Sequence, residues 1–209
     1  MDHAVKLAIE EEVERAVAEG LPAVTLCPGG CLGEHDARAG TGFFLVALAK
    51  GKLHYWIDGP LNVVDVAAVG EAHVRAAEVG TVGARYVLGG VNTNVKALLT
   101  LSAEILGVPF ESNRLPVGIA AVWATRDEML AVREGRARRF FAREFVDMLR
   151  LGLPVDSSRA IRELGLRPTN LPATLERARR WFEEHRYIPR RARPADPAAA
   201  PATEESHVV

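Results

Sequence analysis

The chain has 209 residues, 48% apolar and 25% charged, with 26 Lys and Arg against 27 Asp and Glu and a formal net charge of −1. That length supports one sizeable core, and the balanced charge argues against a nucleic-acid or membrane-surface partner. No stretch approaches a membrane span, the acid-studded start is unlike a signal peptide, and Cys27 and Cys31 lie too close together to staple a fold, so a reducing cytoplasm is the expected setting.

Residues 2–19 predict an amphipathic helix. Val5, Ile9, Val13, Ala16 and Val17 recur at helical spacing, Glu10, Glu11, Glu14, Arg15 and Glu19 take the other face, and Gly20 is the stop. Leu21 to Cys27 carries no charge and reads as a buried strand, covered on both faces as in a parallel sheet. A glycine-rich loop follows, Pro28-Gly29-Gly30-Cys31-Leu32-Gly33. A helix is predicted over Gly42–Lys50, short strands over Leu53–Ile57 and Asn62–Asp65, and a helix over Val69–Glu78. Arg85–Leu88 is a strand ending in Gly89-Gly90, and Asn94 is placed to cap a helix that runs to Leu106 and stops at Gly107.

Alternating helices and strands are the signature of a parallel α/β sheet. After Pro116 the pattern changes. Val117–Glu134, Ala137–Arg150, Ser158–Leu164 and Leu171–Arg186 all predict helices, and from Arg190 Pro, Ala and charge predict a disordered tail. The α/β portion offers about two long strands, few for a sheet that stands alone. Its opening helix has no strand before it, so further strands are expected from upstream of Met1 or from a second polypeptide.

Six stretches in order resemble the extended short-chain dehydrogenase/reductases, nearest the dihydroflavonol-reductase-like and sugar-epimerase branches. Lys6-Leu-Ala-Ile-Glu10 resembles the segment carrying the Lys of the family's Tyr-x-x-x-Lys pair, and Gly20 to Pro28 the strand after it. Gly33-Glu34-His35-Asp36 is similar to a Gly-Pro-x-Asp loop, and Asn62 to His73 to a strand and helix written V-D-D-V-A-x-x-H. Arg85-Tyr-Val-Leu-Gly-Gly90 is similar to R-Y-I-L-G-G, and Asp156 to Gly165 to the late D-x-S-K/R-A-x-x-E-L-G motif. The resemblance covers residues 2 to 187. It implies the C-terminal part of a Rossmann-type parallel sheet at 1–115, a mostly helical substrate-binding region at 116–189 and the tail at 190–209.

The implied chemistry is hydride transfer with NAD or NADP on a nucleotide sugar or small carbonyl compound. Such an enzyme needs a glycine-rich turn for the pyrophosphate, a Tyr for the substrate's proton, and a Lys that lowers the Tyr pKa and holds the nicotinamide ribose. The chain has no Gly-x-x-Gly-x-x-Gly. The Tyr position, four residues before Lys6, holds Asp2, an ionised carboxylate that cannot replace a phenol. Lys6 is therefore the candidate catalytic and cofactor-binding residue by resemblance. Its plainer reading is a solvated partner of Glu10. Pro28, Gly29, Gly30 and Cys31 would by resemblance lie against the nicotinamide, where small residues admit the ring. Their plainer reading is a glycine turn after a strand.

Ala67 and Ala68 stand where the family has acids, a loss of about 1 kcal/mol at the helix start that a cap from Asp65 would offset. Cys27 and Cys31, even with His35 and Asp36 nearby, give only a weak zinc signal, so no metal is expected. Arg133, Arg136, Arg138, Arg139 and Arg143, interleaved with Phe140 and Phe141, invite a nucleic-acid reading. The stronger reading makes Phe141, Phe145 and Leu149 a core stripe, with arginines facing water, Glu144 or Asp147. Trp123, Met129, Phe140 and Trp181 could line a pocket in the helical region but read more simply as core. No Gly-x-Ser-x-Gly elbow is present.

The reading is therefore the substrate-binding portion of an NAD(P)-dependent oxidoreductase or epimerase, not catalytic alone. Its partners are a small-molecule substrate and a completing chain. The alternative is a non-catalytic remnant that uses an unpaired sheet edge to bind a partner or itself.

Overall fold

The computed structural model describes residues 3–136, 142–152 and 154–190. Asp2, residues 137–141 with their share of the arginine cluster and both Phe140 and Phe141, and the tail from residue 191 lie outside the described residues. The chain opens on α1 (His3–Ala18), β1 (Thr25–Pro28), β2 (Gly30–Leu32), α2 (Phe43–Ala49) and β3 (Tyr55–Trp56). It continues through β4 (Pro60–Asp65), α3 (Val66–Val79), β5 (Arg85–Leu88), β6 (Val91–Asn94) and α4 (Val95–Leu106). After β7 (Asn113–Arg114) it is helical, with α5 (Val117–Glu134), α6 (Arg143–Leu151), α7 (Ser158–Leu164) and α8 (Leu171–Glu184). This is the predicted class, an α/β region with parallel strands followed by helices.

Parallel pairing joins β1 to β5, from Thr25 opposite Arg85 to Pro28 opposite Leu88. It also joins β2 to β4 and β3 to β7. Strand β4 carries β6 on its other edge, antiparallel, with Asn62 opposite Asn92. Two expectations are corrected here. Leu21–Cys27 is not a strand throughout: β1 begins at Thr25, beyond Pro22, which has no N–H to give a ladder. Its residues are half-buried or exposed, because β5 is the strand beside it among the described residues. The glycine loop also hides β2, whose Gly-Cys-Leu has no period long enough to show in sequence.

Local chemistry sets the helix ends. The Asn94 side chain accepts from the Ala97 amide at 2.8 Å, and Gly107 ends α4 in the left-handed conformation at φ 69°. Asp65 caps α3 by accepting from the Ala67 amide at 2.9 Å, so the missing acids at 67 and 68 leave the helix start satisfied. The inner face of α4 (Leu98, Leu99, Leu106) packs into a core shared with Phe44, Val63, Val146, Leu149, Leu175 and Phe182. A second core holds Val64, Ala72, Ala76, Tyr86, Leu88, Ala160 and Leu164 between α3, β5 and α7. Among the described residues no helix is long and apolar enough to cross a membrane.

Helix α1 departs from this pattern. Val13, Ala16 and Val17 are half-buried, but Val5, Leu7 and Ile9 are 48%, 60% and 53% exposed. Its apolar stripe is present, as read from sequence, and largely uncovered. Truncation at a fully buried position and at an exposed apolar position of α1 should therefore differ sharply. Phe182→Ala is expected to cost about 3–5 kcal/mol, and Leu7→Ala no more than about 0.5 kcal/mol in the isolated chain. Chemical denaturation of both variants checks this, and a large loss for Leu7→Ala would mean that α1 packs more tightly than described.

Candidate functional site

Strands β1 and β5 end side by side, and each runs into a glycine pair, Gly29-Gly30 and Gly89-Gly90. Asn62 on β4 stands among these glycines. Its Oδ1 accepts from the Gly90 amide at 2.9 Å, and its Nδ2 donates to Asn92 Oδ1 at 2.9 Å. A Cβ on Gly29 would lie 2.6 Å from Asn62 Oδ1, and one on Gly30 would lie 2.9 Å from the Asn62 carbonyl oxygen. The glycines are thus required by the packing of Asn62, whatever else they admit. Asn92 extends the network: it accepts from the Val155 amide and donates to the Val155 carbonyl, both at 3.0 Å. Ser157 Oγ accepts from the Gly89 amide at 2.7 Å. The carboxyl ends of parallel strands are where open α/β sheets take ligands.

Beside Gly30 and Asn62 lies a cavity of about 360 Å³. Phe43, Phe44, Tyr55, Trp56, Leu98 and Phe145 form much of its wall. It sits between α2, β3, β4, α4 and α6, so the sheet supplies one side and the later helices another. Volumes of this size are usual for small-molecule sites.

The sequence-predicted residues divide. Pro28 is exposed at the end of β1, and Gly29, Gly30 and Cys31 are half-buried beside Asn62. The Cys31 thiol donates to the Gly29 carbonyl at 3.7 Å, and burial pushes its pKa up, away from a reactive thiolate. Lys6 is exposed on α1, and no described hydrogen bond or ion pair joins it to that strand end. The proposed Glu10 partnership is corrected: Glu10 pairs with Arg85 across the fold at 3.3 Å. Among the described residues no group of three His, Cys, Asp or Glu is placed to hold a metal ion.

Trp123 and Met129 are not core; they are 44% and 69% exposed on the outer side of α5, whereas Trp181 is buried. Of the arginine cluster, Arg136 pairs with Asp127 at 2.9 Å and Glu134 at 2.7 Å, and Arg143 pairs with Asp147 at 3.5 Å. Val146 and Leu149 form the buried stripe of α6, with Phe145 packed against the core and Phe141 outside the described residues.

The late motif turns out to be a docking device for α7. Asp156 accepts from both the amide and the hydroxyl of Ser158, at 2.9 and 2.6 Å, and Ser157 holds Gly89. Arg159 lies 4.8 Å over the Tyr86 ring, and the Tyr86 hydroxyl donates to Glu163 at 2.6 Å. Asn62, Asn92 and Ser157 were not singled out from sequence. The usable signal was two asparagines inside strand segments, where Asn is disfavoured and so asks for a reason.

Asp65 ties the site to α8. Its carboxylate accepts from the Thr174 hydroxyl at 2.8 Å and from Arg177, and its amide donates to Thr169 Oγ1 at 3.1 Å. Burial alone would raise its pKa, but bonds from Thr174, the Ala67 amide and Arg177 outweigh it and hold the carboxyl below its ordinary range. A depressed folded pKa gives stability that is present above the unfolded value and lost as pH falls through the folded one. Asp65→Ala is expected to cost about 1–2 kcal/mol at neutral pH. It should also lessen the loss of stability below about pH 5; denaturation midpoints of both proteins across the acid range check this.

No family model matches the chain. A protein of Synechocystis sp. named dihydroflavonol 4-reductase is 27% identical over 86% of this chain and 53% of its own length. A solved nucleoside-diphosphate-sugar epimerase from Pseudomonas aeruginosa is 30% identical over 88% of this chain and 55% of that one, with a TM-score of 0.72. At 17% identity the fold also matches a dTDP-glucose 4,6-dehydratase from Streptomyces venezuelae solved with NAD, with a TM-score of 0.64 over 88% of this chain and 51% of that one. The chain thus spans about half the length of the relatives it matches. In sequence and in its α/β fold the chain is similar to the C-terminal portion of extended short-chain dehydrogenase/reductases.

Proposed function

We propose that this chain is the substrate-binding portion of an NAD(P)-dependent oxidoreductase or epimerase that acts on a nucleotide sugar or a small carbonyl compound. The observation that carries the reading is the site itself. Four glycines surround Asn62 at the carboxyl ends of β1 and β5, and a cavity of about 360 Å³ opens beside them. By resemblance Pro28 to Cys31 lie against one face of a nicotinamide, offering backbone at the carboxyl end of β1, since Asn62 fills the space beside the Gly29 and Gly30 Cα atoms. The cofactor supplies the hydride acceptor or donor. The chain's own tasks are to present that bare backbone, to hold the substrate in the cavity, and to reach the ribose hydroxyls with Lys6.

Two further tasks fall to a completing segment, either upstream in the same polypeptide or on a partner chain: binding the pyrophosphate and handling the substrate's proton. Support for such a segment comes from the outer edge of β1, unpaired among the described residues, and from the uncovered Val5 and Ile9 on α1. The same surface favours one other reading, a non-catalytic module that binds a partner through this edge.

Recovery of the tagged native protein from its source cells separates the two. On the enzyme reading, the recovered species exceeds 22.7 kDa or carries a tightly bound α/β partner, and it binds NADPH or NADH at micromolar concentration. Lys6→Ala should then weaken nicotinamide binding by about tenfold, roughly 1.4 kcal/mol. A species that binds neither nucleotide, with Lys6→Ala indistinguishable from the parent, would establish the interaction module instead.

A further inference from the structure

The cavity beside Gly30 carries more than its position. Its described lining residues include no Asp, Glu, Lys, Arg or His. Phe43, Phe44, Tyr55, Trp56, Phe145 and Met148 give it an aromatic and thioether wall, and aliphatic side chains complete it. The polar groups on that wall are mostly engaged already. Trp56 Nε1 donates to the Ser112 carbonyl at 3.2 Å, and the Asn62 amide is shared between Gly90 and Asn92. No described hydrogen bond engages the hydroxyls of Thr41 and Tyr55.

The mouth is apolar as well. Phe43, Tyr55 and Met148 are 39%, 45% and 47% exposed, and all three line this one cavity. Large apolar side chains left in water around a concave opening mark a surface kept for a ligand. Phe43 stands edge-on to Phe44, centroids 6.2 Å apart, so both faces and edges of rings are on offer.

A nucleoside diphosphate brings at least two negative charges. Removing them from water without a cation or several donors costs far more than apolar contact returns. Sites built for phosphates use Arg forks or free helix N-termini; this wall has no Arg, and where α2 and α4 begin on it the Gly42 amide is given to Asp36, the Val95 amide to the Gly59 carbonyl and the Ala97 amide to Asn94. Resting on the oxidoreductase reading above, we infer that the cavity takes the body of an uncharged, ring-bearing carbonyl compound or alcohol, and that it excludes nucleotide sugars. The hydroxyls of Thr41 and Tyr55 are the groups that would meet the ligand's oxygen.

The probe for this is prodan, an uncharged naphthyl ketone whose emission shifts to the blue in apolar surroundings, titrated into the full chain without any nicotinamide. Saturable binding is expected, with no displacement by millimolar UDP-glucose. Met148→Lys and Phe43→Asp should each weaken prodan binding by about tenfold or more. Both positions are partly exposed, so thermal melts should stay near the parent's; if Phe43→Asp unfolds, Met148→Lys carries the test. Displacement by UDP-glucose, or prodan binding indifferent to the folded variants, would overturn the inference. Because no nicotinamide is present, the outcome is independent of the cofactor reading. Prodan binding intact in a native protein that ignores NADPH and NADH sinks the function and leaves this cavity as assigned. Displacement by UDP-glucose in a protein that binds nicotinamide does the reverse.

Discussion

Where the chain leaves β5 for β6 it crosses β4 so closely that a Cβ on Gly90 would stand 2.2 Å from the Val63 carbonyl oxygen and 2.7 Å from the Val64 Cα. No side chain fits there, because the β4 backbone cannot move aside. The crossing puts the Gly90 amide against Asn62, Asn62 against Asn92, and Asn92 against the Val155 backbone. A chain of amides thereby binds the end of β5, together with β4 and β6, to the segment that leads into α7. Asn62 is half-buried and Asn92 exposed, so the network serves mainly to fix geometry. The candidate site is built on this crossing.

Two further ties hold the later helices to the sheet. Asp65 joins the end of β4 to α8 through Thr174 and Arg177. Ser157, with Arg159 and Glu163 around Tyr86, joins α7 to β5. Neither tie lines the cavity between α2, β3, β4, α4 and α6, whose wall is mostly apolar side chains. Labour is thereby divided: polar groups hold elements together, and the space they enclose is left to rings and methyl groups. An apolar wall selects by shape and by the cost of burying charge rather than by a pattern of donors.

The other face of the fold is different in kind. On α1 the apolar side chains that should face a core are uncovered, and β1 has a free edge among the described residues. A stripe at helical spacing is a statement about what a helix could bury, not that anything lies against it. Relatives matched over about half their length have further chain to set beside this surface. That is why substrate binding and hydride chemistry separate in the proposed function: the cavity lies within this chain, whereas the nucleotide's phosphates need backbone amides from elsewhere.

Local rules made much of the fold legible in advance. Val117–Glu134 and Ser158–Leu164 are predicted with the bounds the structure shows, and Gly135 and Gly165 stop them in the left-handed conformation. Asn94 caps α4 and Gly107 stops it. What could not be read was whatever depends on distant chain. The three-residue β2 exists because β4 lies beside it, Trp123 and Met129 lie outside because α5 turns that face to water, and Glu10 answers to Arg85 rather than to Lys6. By itself the sequence determined the succession of elements, their caps and the bare glycine pairs, since these follow from propensity and steric freedom within a few residues. Only the tertiary structure decided that those glycines close on Asn62 and that Phe43, Tyr55, Trp56 and Phe145 converge on one cavity, because packing between elements far apart in sequence carries no period that a single chain displays.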